Sequence, residues 1–101
     1  MGMQLSGGQR SRISLARALY RKDAKVVLID GTLSALDVKV AQHVMNEGIL
    51  KLCKHKIVFL VTYDLNQAAE MDYVMLMEDG GIKMLKRQEE FFSESDSTTL
   101  Q

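Results

Sequence analysis

Four consecutive residues near the start of the chain, Ser6, Gly7, Gly8 and Gln9, have the types that suit binding of an anion. Two adjacent glycines let backbone N–H groups approach a phosphate closely, and a helix that begins here would add the positive end of its dipole. Ser6 can also serve simply as the N-cap of that helix. Taken alone, a Ser-Gly-Gly segment is more often such a cap than a binding site.

Asp30 is the second residue placed where it could do chemistry, because it ends the apolar run of residues 26–29. In open parallel sheets, ligands bind beyond the carboxyl ends of the strands. A lone carboxylate at such a position suits a Mg²⁺ ion that is held through water beside phosphates. The same carboxylate is equally suited to capping a turn or a helix, so this segment alone leaves both roles open.

The elements that would position these residues alternate between helix and strand. In the helix that Ser6 would cap, the apolar residues at helical spacing are Ile13, Ala16, Leu19 and Tyr20. Residues 26–29 and 57–61 are short, continuous apolar runs, which predicts strands buried on both faces of a parallel sheet. From Asp37 the pattern is again helical, with apolar positions at Ala41, Val44, Met45, Gly48, Ile49 and Leu52. This order of strand, helix and strand predicts a right-handed parallel unit.

The rest of the chain predicts shorter elements. Asp64 can cap a short helix, and residues 73–77 and 82–85 predict two strands joined by a Glu-Asp-Gly-Gly turn. A short charged helix is expected over residues 86–92. Residues 93–101 are polar and poor in apolar side chains, which predicts a disordered tail. We therefore expect a domain part over residues 1–92 and a tail over residues 93–101.

Composition excludes several classes of function. The 101-residue chain has 13 basic and 13 acidic residues, so no net charge favours binding to nucleic acid. Its longest apolar runs are far shorter than the roughly 20 residues that cross a bilayer. The single cysteine, Cys53, excludes a disulfide within the chain. The hydroxyl and acidic side chains do not form a nucleophile–base–acid set in the sequence.

In both order and spacing, the segments "LSGGQ", "RISLARALYR", "VVLID", "SALD" and "FLVT" resemble the ATP-binding cassette (ABC) family. The resemblance extends over residues 2–85 and is to the C-terminal part of a nucleotide-binding domain. The details "ARALYRK", "LSALD" and "GILKL" are most similar to the first such domain of the C subfamily, which includes multidrug-resistance-associated proteins and sulfonylurea receptors. The resemblance implies an α/β fold: a partial P-loop NTPase-like parallel sheet with flanking helices and a C-terminal hairpin, lacking the N-terminal strands and the Walker A loop.

The resemblance also implies a role for each matching residue. Ser6, Gly7, Gly8 and Gln9 match the signature, which in this family touches the γ-phosphate of an ATP held mainly by the opposite domain. Asp30 matches the Walker B aspartate, which holds Mg²⁺ through water. Asp37 ends the D-loop of residues 34–37, which crosses the dimer interface. Thr62 precedes the position of the switch histidine.

The partners and the cellular place follow from the same resemblance. It implies a second nucleotide-binding domain that supplies Walker A, and the transmembrane domains of a transporter. The family role is ATP-dependent transmembrane transport. We therefore expect the chain to be membrane-associated on the cytoplasmic side as part of a transporter, and soluble if expressed alone.

Three departures from the family pattern concern binding and hydrolysis of ATP. No segment matches the Walker A pattern GxxxxGK[ST], so tight binding of ATP by this chain alone is not expected. Gly31 stands where active members carry an acid that polarises the attacking water, and Tyr63 stands at the switch histidine. A phenol does not replace imidazole as a proton relay near neutral pH. Since loss of a general base typically costs about 10²–10⁴ in rate, we expect hydrolysis by the chain's own site to be lost.

These departures leave several alternatives. The chain could be a non-hydrolysing regulatory or structural module, a class that Gly31 and Tyr63 favour over an active ATPase. It could also be a truncated gene product without a stable fold, since loss of N-terminal strands would expose apolar sheet faces. Chromosome-maintenance ATPases share the signature, but the sequence context around it fits them less well.

Overall fold

The computed structural model describes residues 6–94, which divide into two units with the boundary between Thr62 and Tyr63. The first unit contains α1 (Gly7–Leu19), β1 (Val26–Asp30), a 3₁₀ turn (Leu33–Ala35), α2 (Val38–His43), a π-helix (Val44–Leu52) and β2 (Ile57–Val61). The second contains α3 (Leu65–Ala69), β3 (Tyr73–Glu78), β4 (Gly81–Arg87) and α4 (Gln88–Glu94). Because a parallel strand pair, flanking helices and a C-terminal hairpin are all present, the predicted fold class is confirmed.

Strands β1 and β2 lie side by side and parallel, in register from Val26 opposite Ile57 to Asp30 opposite Val61. Side chains alternate between the two faces of a strand, so only every second residue can point toward the helices. On β1 these are Val27 and Ile29, each only 3% exposed. The buried core of this unit consists of Leu15, Leu19, Val27, Ile29, Leu33, Ala41, Met45, Ile49 and Cys53.

The opposite face of this sheet is exposed, so the prediction that both strands are buried on both faces is wrong. Leu28 is 74% exposed and Phe59, its register partner on β2, is 53% exposed. The sequence pattern is typical of a sheet that is covered on both faces. Within residues 6–94, however, the buried side chains of the sheet lie on only one face.

The first helix begins as predicted but buries a different face. Its buried residues are Leu15 and Leu19, whereas Ile13 is 48% and Tyr20 is 72% exposed. Leu15 lies four residues before Leu19, which is the spacing of neighbours on one helix face. The apolar residues alone did not distinguish this face from the one that contains Ile13.

The second helical stretch also begins as predicted, at the N-cap Asp37, but changes its period after His43. A π-helix, closed by i→i+5 hydrogen bonds, extends over nine residues to Leu52. The buried positions recur every four residues: Ala41, Met45, Ile49 and Cys53. The predicted contribution of Leu52 to the core is therefore wrong, since Leu52 is 45% exposed.

The second unit is built on the predicted hairpin. Strands β3 and β4 are antiparallel, with an irregularity between Leu76 and Met77, and their turn contains Asp79 and Gly80, both with positive φ. Two left-handed residues at a hairpin turn are what an Asp-Gly pair favours. Among the described residues of this unit, Phe91 on α4 is the one apolar residue that is buried. Of the predicted tail, Ser93 and Glu94 belong to α4, and residues 95–101 lie outside the described residues.

No helix within residues 6–94 has both the length and the apolar character needed to cross a membrane.

Candidate functional site

Ser6 and Gln9 form a capping box at the start of α1. The Ser6 Oγ accepts a hydrogen bond from the Gln9 backbone N–H at 3.1 Å, and the Gln9 Oε1 accepts one from the Ser6 backbone N–H at 2.9 Å. This arrangement fixes both side chains at the helix terminus. The structural role of Ser6 considered from the sequence is therefore present, and both residues are exposed.

Gly7 and Gly8 follow the cap and occupy the first turn of α1. The first backbone N–H groups of a helix have no acceptor within the helix. Among residues 6–94, no acceptor is found for the N–H groups of Gly7 and Gly8. The two glycines differ in their surroundings. A Cβ at Gly7 would meet nothing within 4 Å, whereas a Cβ at Gly8 would lie 3.3 Å from the carbonyl oxygen of Ala35. Gly8 therefore permits the start of α1 to lie against the 3₁₀ turn.

Asp37 caps the next helix beside this contact. Its Oδ1 accepts a hydrogen bond from the Val40 N–H at 2.9 Å, and its backbone carbonyl accepts one from Ala41 at 2.9 Å. A cleft of about 150 Å³ runs between the two helix starts. It is lined by Gly8, Arg12, Ala35, Leu36, Asp37 and Val40. The structure thus brings together Gly8 and Asp37, two predicted site residues that are 29 positions apart in the sequence.

Arg12 was not predicted as a site residue, although it lines this cleft. It lies four residues after Gly8 on α1, a spacing that places both on the same helix face. That spacing was visible in the sequence, but nothing in it indicated which face would meet residues 34–37.

Asp30 lies exposed at the carboxyl end of β1, where the sequence predicted it, and it does not line the cleft. The next residue, Gly31, has a left-handed backbone with φ of 76°. Its carbonyl accepts a hydrogen bond from the Ser34 Oγ–H at 2.6 Å, which ties the strand end to the 3₁₀ turn. The neighbouring Thr32 Oγ1 is buried and has no hydrogen-bond partner among the described residues.

The donor set at this strand end bears on whether it fits a metal ion. Within residues 6–94 no three His, Cys, Asp or Glu side chains are grouped as metal ligands. Asp30 alone therefore does not make a protein-only site. Mg²⁺ is commonly held by one or two carboxylates together with water and phosphate oxygens, and the exposed Asp30 fits that smaller role.

Tyr63 follows β2 and is fully exposed, at 102% of its reference area. It begins the second unit, and Asp64 next to it caps α3 by accepting a hydrogen bond from the Asn66 N–H at 2.9 Å. The phenol therefore lies on a solvent-facing connection.

Comparison with curated proteins finds relatives whose names are all those of ATP-binding cassette (ABC) proteins. The chain is 46% identical over 84 residues to the human "ATP-binding cassette sub-family C member 8", a match that covers 81% of this chain and 5% of that protein. It is 43% identical over 81 residues to "ABC transporter C family member 6" of Arabidopsis thaliana, covering 80% and 6%. It is 36% identical to "ABC-type transporter cicA" of Emericella nidulans, covering 99% of this chain and 8% of that protein.

Comparison with solved structures finds the same kind of protein. The structure resembles the ATP-binding cassette MJ0796, solved as a dimer in a post-hydrolysis state bound to ADP and Pi, with a TM-score of 0.76 and 32% identity. The match covers 84% of this chain and 37% of that chain. The chain thus spans a small part of the curated relatives and about a third of this solved one. No protein-family model matches the chain.

Proposed function

Because the chain belongs to the ATP-binding cassette family, C subfamily, we propose that it supplies the signature residues 6–9 and the D-loop residue Asp37 to an ATP at a dimer interface. The β- and γ-phosphates of that ATP are held by the Walker A loop of a second nucleotide-binding domain. The dimer serves ATP-dependent transport through transmembrane domains, with this chain on the cytoplasmic side of the membrane.

The observation that carries this proposal is the close approach of Gly8 to the Ala35 carbonyl oxygen. It joins the start of α1 to residues 34–37, so that the signature and the D-loop border one cleft. Two segments that the family uses at the same interface are therefore held together by packing within this chain alone. A partner that contacts one of them would meet both.

The chemistry at the start of α1 suits a phosphate. The Ser6 Oγ is engaged as an acceptor from Gln9, which leaves its own O–H as a donor. The N–H groups of Gly7 and Gly8 add two further donors at the positive end of the helix dipole. Hydrogen bonds to a charged phosphate are among the stronger ones in proteins. This set can contact a terminal phosphate but lacks a lysine of its own to hold a whole nucleotide.

Asp30 has a separate part in the proposal. When Mg²⁺ and a nucleotide are present at the chain's own half of the interface, the Asp30 carboxylate would hold the metal through water, and the metal would neutralise phosphate charge. This role is supported by the exposure of Asp30 at the carboxyl end of a parallel strand.

Hydrolysis at the chain's own half-site is absent in this proposal. Gly31 carries no side chain to polarise water, and Tyr63 offers a phenol in place of a near-neutral base. A second candidate function, a non-hydrolysing regulatory module, is favoured by the left-handed backbone of Gly31, which disfavours most side chains there. The two candidates differ in whether the chain changes turnover of a partner's ATP.

The test is to mix the full chain with an ATP-competent nucleotide-binding domain of the C subfamily and to measure ATP turnover. Ser6→Asp keeps an N-cap side chain but places a carboxylate where the phosphate would lie. It should reduce the stimulation of turnover by at least about tenfold, since one hydrogen bond to a charged group contributes roughly 1.5–3 kcal/mol. Ser6→Arg removes the capping oxygen as well and should reduce the stimulation similarly.

The matched control is Lys51→Ala, an exposed π-helix residue away from the cleft, which should leave the stimulation unchanged. If Ser6→Asp and Ser6→Arg both retain full stimulation, the role of the signature is wrong. If the wild-type chain binds the partner only with ATP but does not alter turnover, the regulatory module is the better description.

A further inference from the structure

Five basic residues lie on the two loops that enter strands β1 and β2. We call them the basic cluster, and it consists of Arg21, Lys22, Lys25, Lys54 and Lys56. Lys56 is half-buried, and the other four are exposed. Lys25 directly precedes β1, whereas Asp30 ends it, so at about 3.3 Å per residue the two are about 16 Å apart along the strand. The basic cluster is therefore at the opposite end of the strand from Asp30.

Two hydrogen bonds hold the loops of the basic cluster side by side. The Lys56 Nζ donates to the carbonyl oxygen of Arg21. The Ile57 N–H donates to the carbonyl oxygen of Lys25 at 2.9 Å. The loop of residues 53–56 is thus joined to the preceding loop at two points that are four residues apart. The five positive charges therefore belong to one surface rather than to two separate runs.

Few negative charges balance this surface. Arg21 pairs with Asp23 at 3.2 Å, but both side chains are at least 70% exposed, and such pairs contribute little. Among the described residues, no ion pair includes Lys22, Lys25 or Lys54. The carboxyl ends of α1 and of the π-helix each add about half a negative charge. Together with Asp23, these ends offset about two of the five positive charges, which leaves an excess of about three.

The neutral composition of the whole chain conceals this excess. Residues 1–62 contain ten lysines and arginines but four aspartates and glutamates, whereas residues 63–101 contain three and nine. An extended polyanion, such as duplex nucleic acid or an anionic bilayer, meets the charge of the whole chain, which is formally zero. A short acidic segment meets only the local charge, because exposed charges are screened beyond about 10 Å at 0.1 M salt. The charge distribution therefore favours a short acidic segment.

The residue types of the basic cluster favour carboxylates in a flexible segment. Four of the five residues are lysines, which are point charges on flexible stems, whereas arginine has a rigid fork that suits bidentate contacts. Such a set attracts negative charge without demanding one fixed geometry. Residues 21–25 extend over at most about 13 Å, which an extended peptide of about five residues matches. Clusters of basic residues are an established means of binding acidic peptide motifs.

We propose that the basic cluster binds an acidic segment of another polypeptide, in which several Asp or Glu side chains fall within about five residues. The inference goes beyond the proposed function, because the basic cluster contains none of residues 6–9 and neither Asp30 nor Asp37. Failure of signature variants to affect ATP turnover would leave it standing.

The test measures binding of a fluorescently labelled peptide of eight glutamates to the full chain by anisotropy. The double variant Lys25→Glu and Lys54→Glu should weaken binding at least about tenfold, because two attractive charges become repulsive. The matched control is Lys39→Glu with Lys83→Glu, two exposed residues outside the basic cluster. It changes the net charge equally and should weaken binding less than about twofold, since its charges are screened from the peptide.

A second measurement on the wild-type chain does not depend on how the variants fold. Lysine side chains are acylated with and without the glutamate peptide, and each site is quantified by mass spectrometry. The peptide should slow labelling of Lys22, Lys25 and Lys54 at least about threefold and leave Lys39 unchanged, because bound amines are shielded from the reagent.

Other anions distinguish the class of ligand. The labelled peptide is competed with phosphatidylserine vesicles, duplex DNA and inositol hexakisphosphate, each at equal charge concentration. The glutamate peptide should bind more tightly than all three. Absence of peptide binding, equal weakening by the control double variant, no protection of the basic cluster, or tighter binding of any of the three competitors would each overturn the proposal.

Discussion

Two turns in the first unit contain the predicted site residues, and they differ in the side chains that they carry. The start of α1 has a complete capping box, two glycines and a cleft shared with Asp37. The turn after β1 has the carboxylate of Asp30 but is followed by Gly31 in a left-handed conformation. The first turn therefore has donors of the kind that suit a phosphate, and the second has no acidic side chain directly after Asp30.

Under the proposed function, this difference separates recognition of a phosphate from its hydrolysis. The contacts at α1 depend on backbone amides and short side chains that packing holds in place. In the proposed function, hydrolysis depends on an acidic side chain at position 31, and Gly31 supplies none. The backbone matters as well. Gly31 has a left-handed conformation, and a glutamate at this position would be strained by about 1–2 kcal/mol. Four changes test how firmly this contrast holds.

The largest effect is expected for Gly8→Val. The new Cβ would lie 3.3 Å from the Ala35 carbonyl oxygen, and the branched side chain would force the helix start away from the 3₁₀ turn. We expect the free energy of unfolding to fall by about 1–3 kcal/mol, measured by urea denaturation followed by circular dichroism.

Gly7→Val is the matched control for this change, because its Cβ would meet nothing within 4 Å while the change in helix propensity is the same. Equal losses for the two variants would show that Gly8 makes no special contact with Ala35.

The second effect concerns the turn after β1, which contains Gly31. Gly31→Ala must place a Cβ on a residue with φ of 76°, which should lower the free energy of unfolding by about 1–2 kcal/mol. No atom crowds this position, so the cost comes from backbone strain alone. Gly31→Asn should cost clearly less, because asparagine tolerates this conformation. The same denaturation curves check both, and a Gly31→Ala variant as stable as the wild type would contradict the left-handed turn.

The third effect is that of the capping box. Ser6→Ala removes the acceptor for the Gln9 N–H and should lower the free energy of unfolding by about 1 kcal/mol. Thermal melting of Ser6→Ala beside Ser6→Asp measures this, since aspartate is also a good N-cap. If Ser6→Ala and Ser6→Asp have the same melting temperature, well below that of the wild type, the N-cap side chain is not what stabilises α1.

The smallest effect is expected for Asp37→Asn. Asparagine can still accept the hydrogen bond from the Val40 N–H, so stability should change by less than about 0.5 kcal/mol. Asp37→Ala removes that hydrogen bond and should cost about 1 kcal/mol by the same measurement. If Asp37→Asn is as unstable as Asp37→Ala, the charge of Asp37 contributes more than its cap.

Much of the candidate site could be predicted because its signals are local. Ser6 and Gln9 are three residues apart, and Asp37 and Val40 likewise, so their caps form within single turns. The helix face of α1 could not be predicted in the same way. Ile13 and Leu15 are both apolar, and only packing decided that Leu15 is buried. The role of Arg12 was missed for the same reason, since its cleft forms with residues 34–37.

The sequence by itself determined the order of strands and helices, the caps at Ser6 and Asp64, the Asp-Gly hairpin turn and the family, because each depends on residue types within a short segment. The tertiary structure alone decided the contact of Gly8 with Ala35, the burial of every fourth residue from Ala41 to Cys53 and which face of the parallel sheet is covered. These features depend on which distant segments pack together. A continuous apolar run indicates that a strand can be covered on both faces. Only the packing shows that residues 6–94 cover one face of the β1–β2 sheet.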